Sequence, residues 1–380
     1  MLLALGIPFL NEIVLLFLTA VAIAYICNRL KLVPIVGFLI AGVIIGPNAL
    51  SLVPDQELVD ILAEIGVILL LFTIGIEFSF EKLNRIKKAI VFGGGLQVGL
   101  TTAIVVGILA SFGIGIKVGI YTGFLVALSS TAIVLGLLSQ RGDTDSPSGK
   151  LSLAVLIFQD LAIIFMVLAV PILSGQSKSA LDVALVLGKA AGLIIVVILL
   201  ARKVVPWILE YVAKSRKQEL FLLTVITICF GIAALTSMVD VSLALGAFLA
   251  GLVVSESNFS DQALSEILPL RTVFNAVFFV SVGMLLDVRF VIQNPLLLLG
   301  VAAGVIMLKL IITSSSLLAL GYPIRIASAA GLALAQIGEF SFVLERAGRP
   351  AGLTTAGLGD DGSQVFIAVS VLLMILNPVM

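Results

Sequence analysis

Three ionisable residues lie where an apolar sequence should not carry them. Asp160 sits in Ala154-Val155-Leu156-Ile157-Phe158-Gln159-Asp160-Leu161-Ala162-Ile163-Ile164-Phe165, and Lys309 sits between Met307-Leu308 and Leu310-Ile311-Ile312. Glu339 follows Gln336-Ile337-Gly338. A carboxylate or ammonium at mid-bilayer costs about 2.5–3.5 kcal/mol on insertion scales, so such a residue marks an ion or proton pathway by default. A carboxylate there can bind a cation and release it on protonation, with Lys309 as internal counter-charge. The alternative is a structural ion pair between Asp160 and Lys309 that glues helices together. Charge placement leaves both open. Two polar patches accompany these residues: Gln336-Ile337-Gly338-Glu339-Phe340-Ser341, and Ser129-Ser130-Thr131 between Leu128 and Ala132. Hydroxyls can join helices or bond back to their own backbone. A helix interrupted at membrane depth, however, is tolerated only where it lines a cavity or packs within protein. Glu64, Glu77 and Lys189 lie nearer span ends and are expected to snorkel to the interface, and Asp240 to be solvated.

The elements that must position these groups follow from composition. Of the 380 residues 61% are apolar and 12% charged, against about 45–50% and 25% in soluble domains. At about 20 apolar residues per crossing, the chain reads as an all-α polytopic membrane protein of about 13 helices. The spans fall at 11–29, 32–50, 58–80, 89–112, 118–139, 151–173, 183–201, 219–238, 242–256, 272–286, 296–320, 326–345 and 363–380. With the N-terminus outside, the outer loops hold Lys117, Lys178, Arg289, Arg346 and Arg349. Lys189 and Lys309 fall within spans, and the other fifteen of the 22 Lys and Arg lie inside. That bias predicts N-out and C-in in a cell membrane, of the prokaryotic inner type. The first run lacks a basic leader and a small-residue cleavage site, so it reads as a retained span. The longest polar stretches, near 202–218 and 346–363, leave no room for a soluble domain.

The same arithmetic excludes several functions. Twenty-two basic residues balance 22 acidic ones, which gives no electrostatic case for nucleic acid. There is no histidine, and Cys27 and Cys229 both lie in apolar stretches, which argues against a zinc site or a disulfide framework. Without histidine a Ser-His-Asp triad is impossible, and Ser314 lies on the wrong helical face for a dyad with Lys309. The glycines at 113, 115 and 119 are spaced wrongly for a phosphate cradle. No enzyme activity and no cofactor are expected.

Spans 1–6 and 8–13 can be superposed with span 7 as linker, which maps the fifth span onto the twelfth and the fourth onto the eleventh. Paired interruptions at corresponding places of two halves point to a transporter site. The chain also resembles a known family, the monovalent cation/proton antiporters of the second superfamily branch. Its likeness is greatest to the membrane part of glutathione-gated potassium efflux proteins. The resemblance is carried in order by Gly37-Phe38-Leu39-Ile40-Ala41-Gly42-Val43-Ile44-Ile45-Gly46-Pro47, Ala63-Glu64-Ile65-Gly66-Val67, Ala127-Leu128-Ser129-Ser130-Thr131-Ala132-Ile133, Phe158-Gln159-Asp160, Ala247-Phe248-Leu249-Ala250-Gly251, Val282-Gly283-Met284 and Gly338-Glu339-Phe340.

The resemblance implies an inverted-repeat fold. Spans 4–6 and 11–13 would form a transport core, and spans 1–3 and 8–10 a scaffold that makes a homodimer. Spans 5 and 12 would be unwound and cross near Asp160. Asp160 would alternate between cation and proton, beside the neutral Gln159 and with Lys309 as the basic residue of the eleventh span. Ser129, Ser130 and Thr131 would supply oxygens or helix-end dipoles at the first crossover, with Gln336 and Glu339 at the second. Relatives commonly carry a nucleotide-binding regulatory domain after the last span, where this chain ends. Its partners would be a monovalent cation, Na⁺ or K⁺, and the proton. The competing functions are a gated potassium channel-like efflux path and a cation-coupled symporter of organic solutes, the latter disfavoured by the few polar groups within spans.

Overall fold

The computed structural model describes residues 8–30, 32–53, 56–77, 89–175, 188, 192, 204–238 and 243–377, and no strand occurs among them. The order is α1 (Pro8–Arg29), α2 (Pro34–Ile45), α3 (Gln56–Glu77), a π-helical turn Ala89–Gly94 running into α4 (Gly95–Ser111), α5 (Ile116–Ala127), α6 (Thr131–Arg141) and α7 (Pro147–Leu173). Then come α8 (Val204–Ala213), α9 (Gln218–Ser237), α10 (Leu243–Ser255), α11 (Ser260–Met284), α12 (Val288–Gln293), α13 (Pro295–Ala319), α14 (Ile324–Ala333), α15 (Glu339–Gly348) and α16 (Gly359–Leu376). Among the described residues, nine helical segments are long and apolar enough to cross a membrane, and four shorter apolar helices accompany them. The all-helical membrane fold expected from composition is therefore present.

Several boundaries differ from the apolar-run reading, each for a physical reason. The tenth span, expected at 272–286, is the 25-residue α11, which begins at Ser260. Its first half carries Asp261, Glu266 and Arg271, polar enough to hide a helix from a hydropathy reading, yet Glu and Arg are good helix formers and Asp261 in the first turn complements the helix dipole. The stretch 202–218 contains α8, where Trp207 and Tyr211 stack with ring centroids 6.1 Å apart. The span expected at 183–201, with Lys189, falls almost wholly outside the described residues, as does Asp240.

The chain divides into two compact units. One comprises 55–83 and 177–281. Within it α3 packs on α10 through glycines: a Cβ on Gly75 would fall on the Phe248 carbonyl, and Gly251 opposes Gly75. Small residues let the backbones approach, the usual basis of helix association where lipid is as apolar as the side chains. Ser281 Oγ donates to Asp60 Oδ1 at 2.9 Å. Glu77, at the end of α3, meets Arg271 at 3.5 Å, and Glu64 is exposed.

The other unit comprises 1–54, 84–176 and 282–380 and holds every candidate site residue. Its longest helix, α7, starts where a membrane helix is best started. Ser146 Oγ accepts from Gly149 N at 3.0 Å, and Pro147 occupies the first turn, where its missing N–H costs nothing. Twenty-seven residues at 1.5 Å each exceed the roughly 30 Å hydrocarbon thickness. The π-helical turn before α4 abuts α7: a Cβ on Gly94 would fall on the ring of Phe158. That close approach seats the residues just after Phe158 against α4. On the other side, α13 starts at Pro295 and pairs with α14, where Gly331 stands close to Leu310 O and Ser314 Oγ.

Candidate functional site

Two helices of this unit are broken, and the breaks meet. Between α5 and α6 the helix opens at Leu128, whose φ of −75° and ψ of 140° are extended. Between α14 and α15 it opens over Leu334 to Gly338, with Gly338 at φ −96° and ψ 174°. Each break falls on a polar patch singled out in the sequence. Short hydroxyl side chains compete for backbone partners and weaken helices. Gly338 N donates to Leu128 O at 3.1 Å, and a Cβ at 338 would fall on the Ser129 carbonyl. Glycine is required there because two backbones touch, not because of a special dihedral.

Breaking a helix in a membrane orphans N–H and C=O groups that no water can satisfy. Here side chains satisfy them. Ser130 and Gln336 clasp each other: Ser130 N donates to Gln336 Oε1 at 3.1 Å, and Gln336 Nε2 to Ser130 O at 3.3 Å. Ser129 Oγ donates to Leu334 O at 3.0 Å, and Ser341 Oγ to Leu125 O at 2.7 Å. Lys309 completes the set from α13. Its Nζ donates to Leu128 O at 2.9 Å, Ser129 Oγ at 2.9 Å and Gln336 O at 2.6 Å. An ammonium has three donors, and all three go to the breaks. The side chain is fully buried. Its charge lies against the Leu128 carbonyl at the C-terminal end of α5, the negative pole of a half-helix, and against the Gln336 carbonyl in the open stretch that follows α14.

Asp160 lies at the opposite kind of pole. Thr131, the first residue of α6, donates its hydroxyl to Asp160 Oδ1 at 3.2 Å and Oδ2 at 3.4 Å. A carboxylate at a helix N-terminus is electrostatically favoured. Unlike Lys309 it is only part-buried. Glu339, 6% exposed, opens α15 and so takes the equivalent place at the second break.

Gln159, beside Asp160, faces the interior and is fully buried. Its Oε1 accepts from Ser129 N at 2.7 Å, and its Nε2 donates to Gln97 Oε1 at 2.7 Å. Gln97 in turn donates Nε2 to Ala127 O at 3.1 Å and Thr101 Oγ1 at 3.3 Å. The structure thus brings Ser129, Ser130, Thr131, Gln159, Asp160, Lys309, Gln336 and Glu339 to the two breaks. Sequence reasoning missed Gln97 and Thr101, and it placed Ser341 in the second polar patch without a role. A signal existed for the first two: Gln97 and Thr101 are an i, i+4 polar pair in an otherwise apolar helix, hence neighbours on one face.

Residues of α6, α7, α14 and the chain after α16 also line a cavity of about 200 Å³, with Arg141, Asp143, Ser148, Ser152 and Asn377 as its polar members. Ser152 Oγ and Asn377 Oδ1 have no protein partner. A polar space of that size holds several waters, which can serve both atoms.

The sodium/hydrogen exchanger, transmembrane, family matches residues 13–380. A putative cation/proton antiporter YbaL of Escherichia coli is 34% identical, covering 98% of this chain and 68% of that protein. The glutathione-regulated potassium-efflux system protein KefC of Salmonella typhimurium is 37% identical, covering 86% and 53%. The chain therefore spans only about half to two thirds of the length of these relatives. Among solved structures, the sodium proton antiporter MjNhaP1 from Methanocaldococcus jannaschii superposes with a TM-score of 0.62 at 20% identity, over 98% of this chain and 96% of that one. That is a likeness of fold.

Proposed function

The chain belongs to the sodium/hydrogen exchanger family, and from that premise we propose that it exchanges a monovalent cation, Na⁺ or K⁺, for a proton by alternating access. The observation that carries the reading is the contrast in how the two central charges are held. Lys309 has every donor engaged by the breaks, whereas Asp160 is part-buried at the head of a half-helix beside a hydroxyl. Asp160 is the group that changes partner. Cation and proton compete for its oxygens, and each displaces the other because a bare carboxylate there is costly. Hard oxygen donors suit either alkali ion. The Thr131 hydroxyl and nearby backbone carbonyls would complete the shell, and Gln336 and Glu339 would shape the second break. Rocking of the unit that holds the breaks would expose the site to either side.

The proposal extends to topology and assembly. The breaks at α5/α6 and α14/α15 are read as corresponding places of inverted repeats, 1–6 and 8–13. The N-terminus is placed outside and the C-terminus inside by the Lys and Arg bias. The working form is a homodimer, and a regulatory nucleotide-binding domain beyond the last span is a partner by family likeness. Charge-sided cysteine labelling and cross-linking in native membranes test these points, and a monomer in the bilayer overturns the dimer.

The deciding experiment is proton flux in proteoliposomes holding a pH gradient, read with a pH dye after adding Na⁺ and then K⁺. Cation-driven collapse that is lost in Asp160→Asn supports antiport. Potassium flux without proton movement moves the protein to the channel class. Because the proton competes with the cation, the apparent cation KM should rise as pH falls. A KM independent of pH overturns the shared site.

A further inference from the structure

The amide chain behind Asp160 has a fixed direction. It begins at Ser129 N, a backbone donor, and ends at Ala127 O, a backbone acceptor, and neither can reverse. Between them Ser129 N–H points to Gln159 Oε1, Gln159 Nε2 to Gln97 Oε1, and Gln97 Nε2 to Ala127 O. Amide flips are ordinarily a matter of assignment, but here a second constraint removes the choice. Thr101 Oγ1 spends its one proton on Gln97 O at 2.7 Å, so towards the Gln97 side chain it can only accept. Both contacts of that amide group therefore demand a donor. Gln97 must present its oxygen to position 159, and position 159 must present a proton to Gln97.

We infer that Gln97 is a positioning residue that dictates what its neighbour can be: it demands a donor at position 159, which the Gln159 amide supplies and an ionised carboxylate could not, so a second anion beside Asp160 is excluded. An ionised carboxylate at 159 would accept from Ser129 N–H but would oppose Gln97 Oε1 with a second acceptor. Turning Gln97 over would only transfer the conflict to Ala127 O and Thr101 Oγ1. A protonated acid fits, since its O–H donates to Gln97 Oε1 while its other oxygen accepts from Ser129. All four groups are fully buried or nearly so, so no water relieves a mismatch. The backbone of Ser129 is held by the same chain, and its hydroxyl receives Lys309. Gln97 thereby sets the geometry of the first break without touching the cation. The consequence for transport rests on the antiport reading; the protonation claim does not.

The test reads the proton first. Infrared difference spectra of Gln159→Glu against wild type, in lipid at pH 8, should show a protonated carboxylic acid band. Adding Gln97→Lys, which supplies only donors, should convert that band to carboxylate. A carboxylate in Gln159→Glu with Gln97 intact overturns the inference. So does a protonated band that survives Gln97→Lys, because burial alone would then suffice. A transport arm covers the case in which the double variant does not fold. Gln97→Met should raise the cation KM about tenfold at every pH. Gln97→Glu, which fits only as the neutral acid, should keep the wild-type KM at acid pH and drift towards that of Gln97→Met as pH rises. An unchanged KM in Gln97→Met, or no pH drift in Gln97→Glu, means Gln97 merely packs. Wild-type protein without cation–proton exchange sinks the antiport reading, and the infrared arm then decides the Gln97 inference alone.

Discussion

Lys309 and Asp160 are both charges in apolar helices of one unit, and they are housed in opposite ways. Lys309 is sealed, with its three donors shared between two carbonyls and a hydroxyl of the two breaks. Asp160 is part-buried and sits at the positive end of α6, with a hydroxyl at 3.2 Å. The difference separates two tasks that sequence alone runs together. One charge holds broken helices in place by bonding their open backbone, while the other remains reachable. A simple ion pair would have turned the Lys309 donors to Asp160; the three acceptors of Lys309 lie elsewhere.

The largest expected effects come from breaking each charge in turn. Asp160→Asn should abolish exchange and leave the melting temperature in detergent close to wild type, since Asn keeps the volume and the Thr131 contact. Lys309→Met should do the reverse first: Leu128 O keeps the Gly338 N–H and Ser129 Oγ keeps its bond to Leu334 O, but Gln336 O loses its donor and both breaks lose the tie that joins them. Unsatisfied buried groups cost about 1–3 kcal/mol each, so the protein should melt far lower, by thermal-shift size exclusion. A Lys309→Met protein that melts normally yet transports nothing would break the comparison, because Lys309 would then belong to the transport cycle rather than to the frame.

A smaller effect sharpens where the frame is tight. Gly338→Ala puts a Cβ on the Ser129 carbonyl, and overpacking of this kind costs about 1–3 kcal/mol. Gly99, in α4, has nothing within 4 Å of the position its Cβ would take. Gly99→Ala should be neutral or slightly stabilising by helix propensity. Equal melting of the two variants would mean that the breaks are not in rigid contact.

How much of this could be read from the sequence follows the same division. Charged and polar residues inside apolar runs announce themselves, so Asp160, Lys309 and both breaks were legible. The helices open over Leu128 to Ser130 and Leu334 to Gly338, and Thr131 and Glu339 of the polar patches start the helices that follow. What Lys309 bonds to was not legible, because its acceptors include backbone carbonyls, which no residue type advertises. The i, i+4 pair Gln97 and Thr101 marks one polar helix face, but what that face serves was not legible until Gln159, 62 residues later, is placed beside it. The start of α11 was missed because hydropathy cannot distinguish a polar helix from a loop.

The smallest expected effect probes the reachable charge directly. Thr131→Val is nearly isosteric and removes the hydroxyl that donates to both oxygens of Asp160 at 3.2 and 3.4 Å. These are long, shared bonds, so their loss is worth about 1 kcal/mol at most, or roughly fivefold in binding. The helix N-terminus behind them remains. The hydroxyl offers an oxygen to a bound cation but not to a proton held on the carboxylate, so its removal weakens the cation relative to the proton. The cation KM should therefore rise a few-fold, more at the acid end where the proton competes harder, with the maximal rate and melting temperature unchanged. A change in maximal rate at constant KM would place Thr131 in the conformational step rather than at the bound ion. The reachable charge would then be framed as tightly as the sealed one.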